Sequence, residues 1–141
     1  MKKPIWSVPA TIEALTERGK GSMSEHLGIT FTEIGDDYIK GRMPVDHRTK
    51  QPAGILHGGA SVVLAETLGS MGANIVVDMK TRYCVGLDIN ANHIRSCAEG
   101  FVEGTARPLH LGKTTQVWEI RITQEERLVC ISRLTLAVLE R

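Results

Sequence analysis

The chain has 141 residues, of which 42% are hydrophobic, 17 are basic and 16 are acidic, giving a net charge of +1 at pH 7. This length and composition are typical of one globular domain, here residues 1–141, and exclude a disordered or fibrous chain. The small net charge argues against partners recognised through bulk charge, namely nucleic acid and an anionic membrane surface.

The cysteines and the amino terminus bear on the compartment. Cys84, Cys97 and Cys130 form no C-x-x-C pair, which argues against a disulfide framework or a zinc knuckle and favours three idle thiols in a reducing compartment. Met1, Lys2 and Lys3 resemble a basic leader, but prolines and glutamates interrupt any apolar stretch behind them, so no signal peptide is predicted. We therefore expect a cytoplasmic protein.

The predicted elements run in the order short helix, two strands, long helix and four strands. Thr11 is a candidate cap for the first helix, because its hydroxyl can accept a hydrogen bond from a free amide. Trp118, Ile120 and Ile122 alternate with charged residues, which indicates a half-buried antiparallel strand. The predicted helices cover residues 11–18 and 58–77, and the predicted strands cover residues 29–34, 38–45, 83–94, 100–106, 114–123 and 128–139.

The long helix decides the fold class. Residues 58–77 are almost all apolar or small, so a helix there must be covered on most sides, and strands joined by short turns favour an antiparallel sheet as that cover. We predict an α+β fold in which the sheet wraps around this helix, with a second protomer covering the rest of its apolar surface. The alternative is a membrane span, which Glu66, Asn74 and the glycines of the segment disfavour.

Glu66 is the only charged residue among residues 51–77. A buried ionised carboxylate is costly unless it is paired or hydrogen-bonded. A structural role, in which Glu66 bonds to backbone or to an arginine, therefore competes with a catalytic role as nucleophile or general base. Ser70 lies four residues later on the same helix face, where it either bonds back to its own helix or shares a water with Glu66.

The start of the same helix is a second candidate. Gly58 opens it with amides that lack helical partners, so this end either binds an oxyanion or is a simple glycine entry turn. Gln51 and His57 either polarise a carbonyl or act as ordinary loop hydrogen-bonding groups. Gly58 and Glu66 lie about 12 Å apart along one rigid helix, whereas groups that act on one carbon converge within about 3.5 Å of it. We therefore predict a site shared between two subunits.

Other patterns give less. The five histidines form no H-x-H or H-E-x-x-H pair, so no metal site is predicted. The sequence also contains no P-loop, dinucleotide-binding or nucleophile-elbow motif. Arg95, Ser96, His110 and Lys113 lie at predicted strand ends, where they either meet a phosphorylated ligand or form a solvated rim.

The segment QPAGILHGGASVVLAE, residues 51–66, resembles the hotdog-fold acyl-coenzyme A thioesterases, in the branch that carries its catalytic glutamate on the central helix. The likeness extends over nearly the whole chain, including IGDD, MPVD, RTKQP, INANH and PLHLG further along. Two groups of this family are similar: hydrolases of 1,4-dihydroxy-2-naphthoyl-coenzyme A, which the stretch INANHIRS favours, and the proofreading thioesterases of enterobactin synthesis.

The resemblance implies a hotdog fold and assigns roles by position. Glu66 is then the catalytic carboxylate, and Gly58 offers its N–H to the thioester oxygen. Gln51 and His57 assist at that carbonyl and at the leaving group, and Ser70 positions water. Small residues on the helix, such as Gly69, Gly72 and Ala73, are expected to leave room for a ring of the acyl group.

The resemblance also implies the partners. The substrate is an aryl or other acyl-coenzyme A, with coenzyme A as part of the substrate and no separate cofactor; thioesters of an acyl carrier protein are an alternative. The coenzyme is expected near the strand ends, at His93, Arg95, Ser96, Gly112 and Lys113. Two protomers pair into one continuous sheet, and two such pairs form a tetramer. A hydroxyacyl thioester dehydratase and a non-catalytic acyl-coenzyme A-binding module are the rival functions.

Overall fold

The computed structural model describes residues 3–141; residues 1 and 2, part of the segment that resembles a basic leader, lie outside the described residues. The elements are α1 (Ile12–Arg18), α2 (Met23–His26), β1 (Thr30–Ile34), β2 (Ile39–Pro44), α3 (Gly58–Val76), β3 (Arg82–His93), β4 (Phe101–Leu111), β5 (Thr115–Gln124) and β6 (Arg127–Glu140). The strands form one antiparallel sheet in the order β1-β2-β4-β5-β6-β3. Five of them, β2 to β6, pack against α3, so the predicted α+β fold is confirmed.

The core lies between α3 and the sheet. Trp118, Ile120 and Ile122 of β5 are fully buried on the side that faces α3, and burying each such side chain contributes about 1.5–3 kcal/mol. Small residues on α3 allow this close packing, because a Cβ atom at Gly72 would lie 2.7 Å from the Trp118 ring and one at Gly69 would lie 2.8 Å from Leu134. The expectation that these glycines leave room for the acyl group is therefore wrong.

Ala73 also leaves no room for the acyl group, because it is fully buried in the same core. Helical geometry explains the error at Gly72. Gly72 lies about 240° around the helix from Glu66, whereas Ser70 lies only about 40° away. Gly72 therefore packs against β5, on a different side of α3 from the carboxylate, whereas at Gly69 and Ala73 the core itself fills the adjacent space.

The segment that contains Trp6 and Ser7, here called the amino-terminal strap, packs at the carboxyl end of α3. The N–H and the hydroxyl of Ser7 donate to the Ile75 carbonyl at 2.8 and 3.1 Å, and the hydroxyl also donates to the Val77 carbonyl. These bonds satisfy carbonyls that a helix end leaves without partners. The neighbouring Trp6 stacks on Trp118 with ring centroids 6.4 Å apart. The strap is thus fixed to both the helix and the core.

The observed elements differ from the predicted ones by more than one residue at two places. Helix α2 was not predicted, because its four residues are too short to show a helical period. Strand β4 continues to Leu111, five residues beyond the predicted end, although it contains Pro108. Pairing with β2 extends along β4 only to Ala106, which is opposite Ile39, the first residue of β2. Pro108 therefore lies where this side of β4 has a free edge that needs no backbone N–H.

Two further sequence expectations can be compared with the structure. Cys84, Cys97 and Cys130 are buried and unpaired, and burial raises the pKa of all three thiols. Among residues 3–141, no helix combines the length and the hydropathy that crossing a bilayer requires.

Candidate active site

Glu66 lies in the wall of an open cleft of about 790 Å³, between α3 and the α1–α2 segment. Its side chain is half-buried, so the carboxylate is less buried than the sequence predicts. The cleft combines the carboxylate with apolar and hydroxyl-bearing side chains and with one cation, Arg18. The residues that line it are Arg18, Gly19, Ser22, Met23, Ser24, Val63, Glu66, Thr67, Ser70, Met71 and Asn74.

The carboxylate of Glu66 has no hydrogen bond and no ion pair to any residue of the range 3–141. The structural role that competed at the sequence level, a Glu66 bonded to backbone or to an arginine, is therefore absent from the described chain. Its Oε2 atom lies against β3 at Gly86, where an added Cβ would be only 2.7 Å away. The carboxylate thus faces the cleft with its acceptor capacity unused.

Ser70 lines the same cleft one helical turn after Glu66, as the i, i+4 spacing predicts. Asn74, another turn on, joins the helix to the sheet. Its Nδ2 donates to the Ser70 carbonyl at 2.9 Å and to the Cys84 carbonyl at 3.3 Å, while its Oδ1 accepts from the Cys84 N–H at 2.9 Å. Neither Asn74 nor Gly86 has a predicted role in the site.

A second, smaller cleft of about 310 Å³ lies at the amino-terminal end of α3. It brings together five of the predicted site residues, which come from three separate parts of the chain: Gln51, Gly58, His93, Arg95 and Ser96. A Cβ atom added at Gly58, the first residue of α3, would lie 2.8 Å from the Nε2 atom of His93. Glycine at that position therefore keeps the amide accessible beside the imidazole.

The first two backbone amides of α3, those of Gly58 and Gly59, differ in their hydrogen bonding. His57 is the N-cap, and its Nδ1 accepts from the Gly59 N–H at 2.8 Å, so the imidazole is held with Nδ1 unprotonated. The His57 side chain is exposed and lines neither cleft. The Gly58 N–H has no acceptor among residues 3–141, so the amide named for the thioester oxygen is the unused one.

Gln51 is held by its loop. Its Oε1 accepts from the Ala53 N–H at 2.6 Å, which leaves the side-chain NH₂ as the free donor. The same loop begins with a bidentate pair, in which the Arg48 guanidinium donates to Asp46 at 3.2 and 2.8 Å. This hydrogen bonding lowers the pKa of Asp46 to about 2.

Gly112 and Lys113 lie in the turn after β4, far from the other predicted coenzyme ligands. Thr115 pairs with Ala137 of β6, whereas His93 pairs with Cys130 of the same strand. The seven-residue separation along β6 is about 23 Å. One chain therefore does not bring the turn to the cleft that contains Arg95 and Ser96, and the role of Gly112 and Lys113 stays a prediction.

The two halves of the candidate site lie in different clefts of one chain, as the helix spacing predicts. The cleft near Glu66 supplies a hydroxyl and a carboxylate, and the cleft near Gly58 supplies a backbone amide, an amide side chain and an imidazole. Within the described part of the chain, the carboxylate and the backbone amide have no partner. The first set is suited to activating water or attacking a carbonyl, and the second to stabilising an oxyanion.

Comparison with known proteins gives the family. The thioesterase superfamily model matches residues 53–131. The chain is 54% identical over 136 residues to the 1,4-dihydroxy-2-naphthoyl-CoA hydrolase of Escherichia coli, covering 96% of this chain and 99% of that protein. It is 50% identical over 136 residues to the proofreading thioesterase EntH of Cronobacter sakazakii, covering 96% and 98%.

Solved structures agree with these sequence matches. A mutant thioesterase of Pseudomonas aeruginosa superposes with a TM-score of 0.95 at 47% identity, covering 97% of this chain and 99% of that chain. A thioesterase of Haemophilus influenzae superposes with a TM-score of 0.93 at 47% identity, covering 96% and 95%. The chain therefore belongs to the thioesterase superfamily and is a thioester hydrolase with the hotdog fold.

Proposed function

We propose that the protein hydrolyses an aryl acyl-coenzyme A thioester to the free acid and coenzyme A, with Glu66 as the catalytic carboxylate. The observation that carries this proposal is the Glu66 carboxylate, which has no partner among residues 3–141 and lies in a cleft large enough for an acyl group. Coenzyme A enters as the leaving group of the substrate and not as a cofactor. The name of the Escherichia coli relative supports 1,4-dihydroxy-2-naphthoyl-coenzyme A as the substrate, and hence a place in menaquinone biosynthesis.

The reacting carbonyl sits between two copies of the chain. Strand β3 is an edge of the sheet, and an edge strand offers unpaired backbone groups to a second strand. Gly86, which touches Glu66, and His93, which touches Gly58, lie seven residues apart on this strand with Asn90 near the midpoint. Antiparallel pairing of two β3 strands about Asn90 places Gly86 of one copy within one residue of His93 of the other.

This pairing delivers the Glu66 of one copy to the Gly58 amide of the other. The free Gly58 N–H then stabilises the charge that develops on the thioester oxygen, an effect worth about 2.7–4 kcal/mol for one such donor. Gln51 and His57 assist at the carbonyl and at the sulfur, and Ser70 positions water beside the carboxylate. His93, Arg95 and Ser96 are placed to meet the coenzyme.

Glu66 acts by one of two routes. As a nucleophile it attacks the thioester carbon, the coenzyme A thiolate leaves, and water opens the resulting anhydride. As a general base it removes a proton from water, which attacks the same carbon, and the C–S bond then breaks so that the coenzyme A thiolate leaves. A single turnover in ¹⁸O-labelled water distinguishes them, because only the nucleophilic route can transfer an unlabelled oxygen of the enzyme to the first product.

The first experiment is a thiol-release assay with a panel of thioesters: aryl and alkyl acyl-coenzyme A, a 3-hydroxyacyl-coenzyme A and an acylated carrier protein. We expect the aryl acyl-coenzyme A to give the highest kcat/KM. The proofreading name of the Cronobacter relative supports the carrier-protein thioester as the second candidate. Absence of thiol release from every member would overturn the proposal in favour of an acyl-coenzyme A-binding module.

Subunit mixing tests the shared site. Glu66→Gln and Gly58→Val each inactivate one half of the site, Gly58→Val because its side chain meets the His93 ring. In a mixed dimer, one of the two shared sites combines an intact Glu66 with an intact Gly58. Random mixing therefore restores about a quarter of the activity, whereas a site contained within one chain would stay inactive. We further propose a dimer of such dimers in the cytoplasm.

A further inference from the structure

The amide of Asn74 occupies the edge of the sheet. Cys84 of β3 pairs with Val138 of β6, and the Val138 N–H donates to Thr114 on its other side. The N–H and C=O of Cys84 therefore point away from β6, toward the free edge. Asn74 binds both of these groups, at 2.9 and 3.3 Å, and so takes the place that a residue of an added strand would fill.

The open part of the edge begins immediately after this point. The next residue of β3 on the same face of the sheet as Cys84 is Gly86, which lies against the Glu66 carboxylate. A second strand can therefore pair from Gly86 to His93, but not at Cys84. A register displaced toward the beginning of β3 needs the Cys84 groups that Asn74 already occupies.

From this geometry, and resting on the proposed function, we infer that Asn74 is a positioning residue that sets the register in which a second copy pairs along β3. It does so by closing the edge at Cys84 and tying that residue to α3 through the Ser70 carbonyl. The pairing is then centred near Asn90, which places the Glu66 of one copy opposite the Gly58 of the other. Asn74 itself does not touch the reacting atoms.

The register can be read by cross-linking. In pairing centred on Asn90, the two copies of this residue face each other as a close pair that does not exchange hydrogen bonds, a spacing that a disulfide can bridge. An Asn90→Cys protein treated with oxidised glutathione should form a disulfide-linked dimer. The native cysteines are buried and serve as the background in the unsubstituted protein.

The decisive comparison adds Asn74→Leu, which keeps the side-chain size but loses all three hydrogen bonds. We expect the Asn90→Cys cross-linking yield to fall severalfold and kcat to fall about 10- to 100-fold, because misplacement by about 1 Å can cost about 100-fold. KM should change much less. Gln124→Leu is the matched control, since Gln124 also joins two carbonyls, those of Glu99 and Phe101, at the far end of the sheet.

Asn74→Asp keeps the acceptor for the Cys84 N–H and gives an intermediate effect, and it replaces Asn74→Leu if that variant does not fold. Unchanged cross-linking in either variant, or a loss of kcat no larger than in Gln124→Leu, overturns the inference. Failure of the proposed function is distinguishable, because a fully active Glu66→Gln would refute the catalytic role while leaving the dependence of cross-linking on Asn74 measurable.

Discussion

Gly86 of β3 makes room for the carboxylate of Glu66: an added Cβ would stand 2.7 Å from Oε2, closer than such atoms approach. Gly86→Ala should therefore displace the carboxylate and lower kcat about 10- to 100-fold, with a smaller change in KM. Steady-state kinetics measure this split. Gly104→Ala is the matched control, because its Cβ would also meet a side chain at 2.7 Å, that of Leu68, but in the core and outside both site clefts. Normal kcat in Gly86→Ala would show that this contact does not position Glu66.

Glu66→Gln preserves the shape of the side chain and removes its ability to act as base or nucleophile. We expect kcat to fall by at least about 100-fold, as for removal of a general base, with the thermal midpoint of unfolding unchanged or raised. Glu17→Gln, the same substitution on an exposed part of α1, should retain full activity. Retention of near-normal turnover by Glu66→Gln would refute the proposed role.

His57 combines a cap with a predicted catalytic role, and two substitutions separate them. Asn is a good N-cap, so His57→Asn should keep the bond to the Gly59 N–H, while His57→Ala should lose about 0.5–2 kcal/mol of stability. Urea unfolding measures that difference. If the imidazole assists at the thioester, both variants lose kcat/KM to a similar extent. If His57→Asn is fully active and the loss in His57→Ala matches its loss of stability, His57 has only the capping role.

The β5–β6 turn contains avoidable strain. Its two central residues, Glu125 and Glu126, have φ values of 50° and 66°, a conformation that favours Asn and Gly in two-residue hairpin loops. The double substitution Glu125→Asn, Glu126→Gly should raise the free energy of unfolding by about 1–2 kcal/mol. The urea midpoint measures this change, and activity should not change, since neither residue lines the two site clefts.

The Asp46–Arg48 pair gives a prediction at acid pH. The guanidinium of Arg48 lowers the pKa of Asp46 from 3.8 to about 2. A depressed pKa in the folded state contributes stability that is fully present above the unfolded value and is lost as the pH falls through the folded value. NMR titration should therefore place the Asp46 midpoint near 2. In Arg48→Gln it should move toward 3.8, and an unmoved midpoint would exclude the pair as the cause.

The sequence predicted those features that depend on local spacing. The 3.6-residue period located α3 and placed Ser70 on the face of Glu66, and the same arithmetic separated Gly58 from Glu66 along the helix. Gly86 and Asn74 could not be predicted this way, because their contacts depend on how β3 docks against α3. A glycine inside a strand does signal a close approach, but only the fold identifies the carboxylate that approaches it.

The contact between Trp6 and Trp118 has a practical consequence, since these are the only tryptophans of the chain. All indole emission of the protein originates at one junction, where the amino-terminal strap meets the core. A change in intrinsic fluorescence would report detachment of the strap from α3 and β5 before global melting. The native chain thus contains its own optical probe for loosening of the helix end that Ser7 closes.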